Sequence, residues 1–321
     1  MELRLWKYGE DDSLIPSFLE GKALSHKEPA KTEEWFHWKF EQSPYGKAFM
    51  ACAFDGDKVA GCVAYGRGVV KYKGRDWTCA LSYETFVHPA YQGKGLFKKL
   101  ILLAEENMLK AGVQFLYNYP NANSVAGFSH MGWIIRNDVR SFKIKVARPF
   151  SALFRILDLK KPFVPNPSNL EEIRQKCPSS LAEEKALDPQ VITPVWSLDY
   201  IRWRFFTIPN REYLVVDNED VFSIFMVGKR GRLKCVHHLY TVSKTGKSAS
   251  GAFKDVLPSV VRLAKPEVIE YSSTVCDQAL KGSFGFFKVP AHGNFCYKVL
   301  DESMNIEDFR IILPSINAHT Y

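Results

Sequence analysis

The stretch richest in chemistry runs from Cys79 to Gly112. Cys79 to Val87 is aromatic and β-branched enough for a strand. His88-Pro89 ends it, and Gln92-Gly93-Lys94-Gly95-Leu96-Phe97 follows. From there Leu96, Leu100, Leu103, Ala104 and Met108 recur at helical spacing as far as Lys110, and Gly112 is the stop signal. A helix leaves the N–H groups of its first turn without partners and carries the positive end of its dipole there. A glycine-rich approach lets a pyrophosphate come close. Each charge-assisted hydrogen bond contributes ~1.5–3 kcal/mol, so three or four amides supply much of the ~8 kcal/mol that a micromolar ligand requires. The spacing is neither that of the P-loop nor that of the dinucleotide Gly-x-Gly-x-x-Gly loop.

An acid within reach of such a ligand is Glu84, in the strand before the loop. Alternation puts it on one face with Ser82 and Phe86, where it could take a proton through a water. His88 is the rival, but a histidine before proline at a strand end reads as an exposed turn residue. The seven cysteines are odd in number and none is spaced Cys-x-x-Cys, which suggests neither a disulfide framework nor a zinc knuckle. No metal is expected. Cys62 and Cys79 sit in strand-like runs and read as packing.

The elements that position this segment come in two copies. Trp35-x-x-Trp38-Lys39-Phe40-x-x-x-Pro44 recurs as Tyr200-x-x-Trp203-Arg204-Phe205-x-x-x-Pro209. Each copy leads into a hairpin: Ala48 to Phe54, then Asp55-Gly56-Asp57; and Glu212 to Val216, then Asp217 to Asp220. Each half ends in a Gly-aromatic pair, Met131-Gly132-Trp133 and Phe284-Gly285-Phe286. The aromatic box itself reads as a helix end packed on a sheet. Between the copies, a short apolar helix (Phe150 to Leu159), prolines 162, 165 and 167, and a charged segment (Leu170 to Leu187) make a connector. The expected division is 1–147, a linker with short helices over 148–194, and 195–321. The fold class is α+β, two tandem domains each with a mixed, mostly antiparallel sheet flanked by helices.

At 321 residues the chain has room for two cores. Its 46% hydrophobic and 24% charged residues exclude a disordered or coiled-coil chain. The net charge of +8 divides evenly between the halves. That argues against a dedicated nucleic-acid face and suits an anionic small ligand. No apolar run reaches the length of a membrane span, and Met1 to Asp12 has no apolar signal region. A cytoplasmic protein is expected.

The Gln92-x-x-Gly95-x-Phe97 segment resembles motif A of the GCN5-related N-acetyltransferases (GNAT), with Phe97 where a small residue is usual. Pro120-Asn121-Ala122-Asn123-Ser124 and Phe128 to Trp133 look like motif B. For Asn121 and Asn123 plain turn chemistry is the alternative. The resemblance implies an acyl-CoA-dependent N-acyltransferase using acetyl-CoA or another acyl-CoA, with direct attack of an amine on the thioester. It implies CoA contacts at Gln92, Gly93, Lys94, Gly95, Leu96, Phe97, Asn121 and Ser124. A backbone N–H of Phe86 or Val87 would polarise the carbonyl. Ser82 and Tyr83 would face the acceptor and Glu84 would be the catalytic base, the alternative being that Glu84 only orients the acceptor or faces a salt bridge. Phe128 stands where the family often has a tyrosine acid, so protonation of the thiolate from that position is absent.

The second copy keeps the frame, but its loop, Ser243 to Gly251, lacks the motif spacing and reads as a solvated loop. It looks like a degenerate GNAT copy. Arg202, Arg204 and His237 are open candidates for a contribution to the acceptor pocket. Large two-copy members resembling this chain suggest a nucleotide-linked amino sugar of surface-polysaccharide synthesis as acceptor. The alternatives are a protein, peptide or antibiotic-like amine, or a CoA-binding module without turnover. An acidic cleft mouth would favour a cationic acceptor, a basic one a phosphorylated sugar. Oligomeric state is open.

Overall fold

The structure is a computed structural model and describes residues 1–137, 140–164, 177–178, 190–209, 213–247, 249–274, 286–289, 294–306 and 310–311. Prolines 165 and 167, the charged segment 170–187 apart from residues 177–178, and the Phe284-Gly285 pair lie outside the described residues.

The first half opens with β1 (Glu2–Leu5) and two helices, α1 (Ile15–His26) and α2 (Glu33–Phe40). The Thr32 side chain caps α2 by accepting from Trp35 N. Three antiparallel strands follow, β2 (Phe49–Asp55), β3 (Lys58–Tyr72) and β4 (Arg75–Val87). Next come the glycine loop, α3 (Leu96–Lys110), β5 (Phe115–Asn118), α4 (Ala122–His130) and β6 (Ile134–Arg136). The strand–loop–helix unit is as expected, and Gly112 ends α3 with φ +77°.

Next come β7 (Arg140–Val146), α5 (Pro149–Ile156), β8 (Val191–Pro194), and the short α6 (Leu198–Ile201), which runs into a π-helical turn. The second half continues with β9 (Leu214–Asp217), β10 (Val221–Arg230), β11 (Leu233–Ser243), α7 (Ala249–Ala264), β12 (Val268–Thr274), β13 (Phe286–Val289), β14 (Phe295–Val299) and β15 (Arg310–Ile311).

These strands form two mixed sheets. The first runs β1-β2-β3-β4-β5-β14-β6, with β8 on β3 and β15 on β8; the second runs β13-β7-β12-β11-β10-β9. In each, a parallel pair sits among antiparallel ones, β4 with β5 and β11 with β12, and β15 also runs parallel to β8. The repeat is legible in the register. Gly68 opposes Cys79 and Gly228 opposes Cys235. A bulge follows in each copy, between Ala64 and Tyr65 and between Ile224 and Phe225.

The sheets do not follow the chain order of the halves. β7, which precedes residue 147, is the neighbour of β12 in the second sheet, and β14 fills the corresponding place beside β5 in the first. Each half completes the sheet of the other. This mutual completion joins the halves through backbone ladders, so neither sheet is whole without the other's strand.

The helical boxes also meet. Trp38 stacks on Trp203 at 5.3 Å and 24°. The Trp38 indole N–H donates to Trp203 O at 3.0 Å, and that of Trp203 donates to Trp38 O at 2.9 Å. The repeated tryptophans are thus exchanged across a pseudo-twofold, which is why one motif occurs twice with the same spacing.

Below the second sheet α7 packs Phe253, Val256 and Val260 on Val236 and Ile269. There His238 stacks on Tyr271 at 4.7 Å and 19°, against Phe253 at 4.6 Å. Burial pushes its imidazole from 6.5 down to about 3. The folded state therefore holds His238 neutral where the unfolded chain binds a proton, so this contribution is present above pH 6.5 and is lost as pH falls toward 3. At pH 5 the loss is about 2 kcal/mol. Urea unfolding of wild type and His238→Phe at pH 7 and 5 checks this. The wild type should weaken more on acidification, and parallel losses in the two proteins would remove His238 as the cause.

Candidate acyl-CoA cleft

β4 and β5 are paired over only three residues each, Cys79–Leu81 with Phe115–Tyr117. β4 then continues to Val87 while β5 turns away, and the gap is a cleft of 420 Å³. That is within the ~300–1,000 Å³ typical of small-molecule sites. Its walls are Ser82 to Val87 except Glu84, with Phe97, Phe128, the Asn118 to Asn121 turn, Asn123 and Ser124, and Ser25 and His26 from the end of α1.

The peptide groups of β4 that face the gap follow from the register. His88 N donates to Ala60 O at 2.9 Å, so by antiparallel alternation Phe86 spends its N–H on β3, and Thr85 and Val87 turn theirs outward. The carbonyls on that edge are engaged: Thr85 O lies 3.0 Å from His26 Nε2, and Val87 O accepts from Gln92 Nε2 at 3.1 Å. The N–H groups of Thr85 and Val87 are left facing the cleft. Of the two expected carbonyl-polarising residues, Val87 has the geometry and Phe86 does not. The Phe86 ring instead packs edge-on against Phe18 at 5.2 Å.

The glycine loop leads into α3 with Gly93 at φ +76° and Gly95 at φ +70°, the latter in the N-cap position. Both conformations favour glycine. Apart from chain neighbours, nothing lies within 4 Å of where either Cβ would stand, so the space over both glycines is free. Lys94 reaches over the Tyr91 ring at 5.1 Å. Leu96 turns inward and is buried against α3's own sheet. Gln92 to Leu96 stand outside the cleft lining, whereas Phe97 lines it. The Phe97 ring sits edge-on to Phe128 at 5.6 Å and so close to α4 that a Cβ on Gly127 would be 2.7 Å from its Cε1. The aromatic residue at the small-residue position is thus accommodated by a glycine on the facing helix.

Asn121 caps α4. Its Oδ1 accepts from Asn123 N at 3.0 Å, and from Ser124 N and Ser124 Oγ, each at 3.1 Å. Both side chains are used in that turn, which aims the N-terminus of α4 at the cleft.

Glu84 is placed differently from the expectation. The bulge inserts Tyr83 as an extra residue and resets the alternation, so Glu84 lies opposite Ala64 on one face and Ser82 opposite Tyr65 on the other. Glu84 shares its face with Phe86, not with Ser82. Its carboxylate, 5% exposed, meets Lys39 Nζ at 2.5 Å and Lys22 Nζ at 3.4 Å, and it lines neither the cleft nor any other described cavity. Burial, opposed by Glu84, pushes the Lys39 ammonium down to about 8. His88 accepts from Ala90 N at 3.2 Å at the strand end, a turn role.

On the far side of the splay, a cavity of 70 Å³ lies between the halves. Its walls include Trp38, Tyr83, Trp203, Lys39, Arg67 and Arg204, and among the described residues no carboxylate. Tyr83 belongs to both spaces. Sequence reading missed this cavity and His26. The repeated aromatic box pointed to the former, but only the pairing of its two copies makes a wall. Of the open candidates, Arg204 lines the cavity and Arg202 bonds Asp199 at 2.6 Å. His237 lies elsewhere, on β11.

The second copy has the frame of the cleft without the space. His238 and Tyr271 stand where Ser82 and Asn118 stand in the first, and with Phe253 they fill the splay. Its loop amides are engaged too, Thr245 N and Lys247 N both donating to Ser243 Oγ.

Residues 17–136 match the sequence model of the acetyltransferase (GNAT) domain. The chain carries a GNAT domain and is an acyltransferase. No curated protein matches it. Solved structures resemble it across both halves. A probable N-acyltransferase from Enterococcus faecalis covers 94% of this chain and 73% of its own at TM-score 0.60 and 8% identity. A GCN5-related N-acetyltransferase from Kribbella flavida covers 94% and 72% at 0.57 and 15%. N-myristoyltransferase of Saccharomyces cerevisiae, with bound myristoyl-CoA, covers 92% and 78% at 0.53 and 11%. At these identities the likeness is one of fold. Among the described residues no helix is long and apolar enough to cross a membrane.

Proposed function

We propose that this GNAT protein transfers an acyl group from acyl-CoA directly to a primary amine in the cytoplasm. The reading is carried by one observation: β4 and β5 part after three paired residues, leaving the Thr85 and Val87 amides open beside the head of α3. The diphosphate of CoA sits on the amides of Gly93 to Phe97, and the thioester carbonyl accepts from Val87 N–H. The amine approaches from the aromatic cavity across Tyr83.

Lys39 lines that cavity, and an amine with a pKa of about 8 is partly neutral near pH 7. It takes the proton released as the C–N bond forms and the thioester C–S bond breaks, and CoA departs as the thiolate. Glu84, which touches Lys39 and not the cavity, positions that base.

The acceptor is anionic at its far end. Lys39, Arg67 and Arg204 line the cavity, and its described lining residues include no carboxylate. The free space is about half of the ~150 Å³ that holds benzene in an engineered cavity, so only the amine-bearing tip enters. A nucleotide-linked amino sugar meets both conditions better than a cationic peptide. Thiol release from acetyl-CoA with a panel of amines tests this. Amine-dependent release favouring phosphorylated amino sugars is expected. CoA binding without release for any amine would leave a binding module, and a preference for polycationic peptides would reverse the acceptor assignment.

A further inference from the structure

At the parallel crossing of the second sheet, Cys235 opposes Val268 and His237 opposes Glu270. The same crossing in the first sheet pairs Cys79 with Phe115 and Leu81 with Tyr117, and Cys79, Leu81 and Tyr117 wall the aromatic cavity. The first copy has an apolar and aromatic lining at this place. The second keeps the cysteine and replaces the other two by an imidazole and a carboxylate.

Cys235 and His237 are two apart on β11 and therefore share a face, opposite Val236, which packs under α7. Glu270 joins them from β12. One ligand atom from each of the three lies within 4.8 Å of the others. His237 Nδ1 is 4.0 Å from Cys235 Sγ and 3.2 Å from Glu270 Oε1.

We propose that Cys235, His237 and Glu270 form a metal site of the Zn(II) class, with thiolate, imidazole and carboxylate as its protein ligands among the described residues. Metal–ligand distances of ~2.0–2.3 Å in a tetrahedral arrangement put ligand atoms roughly 3.3–3.7 Å apart. The 3.2 Å between His237 and Glu270 is already at that spacing, the 4.0 Å between His237 and Cys235 has to close by a few tenths of an ångström, and all three atoms lie within 4.8 Å of one another. A sulfur, a nitrogen and an oxygen donor together suit a borderline ion such as Zn(II), and not Mg(II) or Ca(II).

The surroundings hold the ligands in place. Arg230 donates to Glu270 Oε2 at 2.6 Å, fixing the carboxylate with Oε1 toward His237. The His237 ring lies against Gly228, where a Cβ would be 3.2 Å from Nε2. That glycine lets the ring lie flat with Nδ1 toward Cys235. His237 is the most accessible of the three, with its side chain 13% exposed, and gives the route of access.

Co(II) is the probe, because a thiolate ligand gives it a near-ultraviolet charge-transfer band. The titration uses the full chain carrying Cys177→Ser, which removes the one described thiol that is not buried. One equivalent of Co(II) should raise the band, and Zn(II) should discharge it. Cys235→Ser in that background should abolish the band, and Glu270→Gln should weaken Co(II) binding at least tenfold, with circular dichroism unchanged in both. Binding without the band means adventitious metal only. No binding, or a band that survives Cys235→Ser, overturns the site. If Cys235→Ser fails to fold, His237→Gln must weaken Co(II) binding at least tenfold in its place, and an unchanged affinity there refutes the proposal equally.

Discussion

Replacing Gly95 by valine is expected to lower acyl-CoA affinity at least 100-fold. Gly95 holds φ +70° at the N-cap of α3, and apart from its chain neighbours no atom lies within 4 Å of where its Cβ would stand. An isopropyl group there covers the head of the helix. Losing two charge-assisted hydrogen bonds at ~1.5 kcal/mol each accounts for the factor of 100. The left-handed backbone adds a stability cost of about 1–3 kcal/mol for a β-branched residue. It brings no steric clash, since nothing lies within 4 Å of the new Cβ. Calorimetric titration with acetyl-CoA, beside a melting curve showing the variant folded, decides the matter. Wild-type affinity in a folded Gly95→Val protein would falsify the assignment of the diphosphate to this loop.

Glu84→Gln should cost about 3–5 kcal/mol of stability, because it leaves Lys39 buried without its counter-charge. Its effect on catalysis has a separate signature. Burial already lowers the Lys39 pKa and Glu84 opposes that shift, so removing the carboxylate moves Lys39 further down. The rising limb of the kcat/KM profile, which reports the free base, should therefore move to lower pH. A Glu84 that is itself the base would instead lose the limb altogether. Denaturant unfolding reads the first effect and a pH–rate profile the second. An unchanged limb would detach Lys39 from the chemistry.

Much of the site was legible along the chain because its parts are local. A strand, two glycines and an amphipathic helix within Cys79 to Gly112 need only backbone propensity and periodicity to be recognised, and they folded as read. The repeat was legible as well, since Trp38 and Trp203 stand in matching surroundings. The face of Glu84 was not. Alternation holds until a bulge adds a residue, and the Tyr83 bulge is specified by pairing with β3, not by any residue near Glu84. Phe97 gave a similar lesson, because its tolerance depends on Gly127, thirty residues away on another helix.

The sequence by itself determined the glycine-flanked head of α3, the two-copy α+β design and the loss of the motif in the second copy, since each depends on residue types at short spacing. Tertiary structure alone decided the exchange of β7 and β14 between sheets, the aromatic cavity between the halves, the burial of Glu84 with Lys39 and Lys22, and the meeting of Cys235 and His237 with Glu270. All of these join residues far apart in the chain. Strand register and shared burial select such neighbours, and neither is encoded in any one segment.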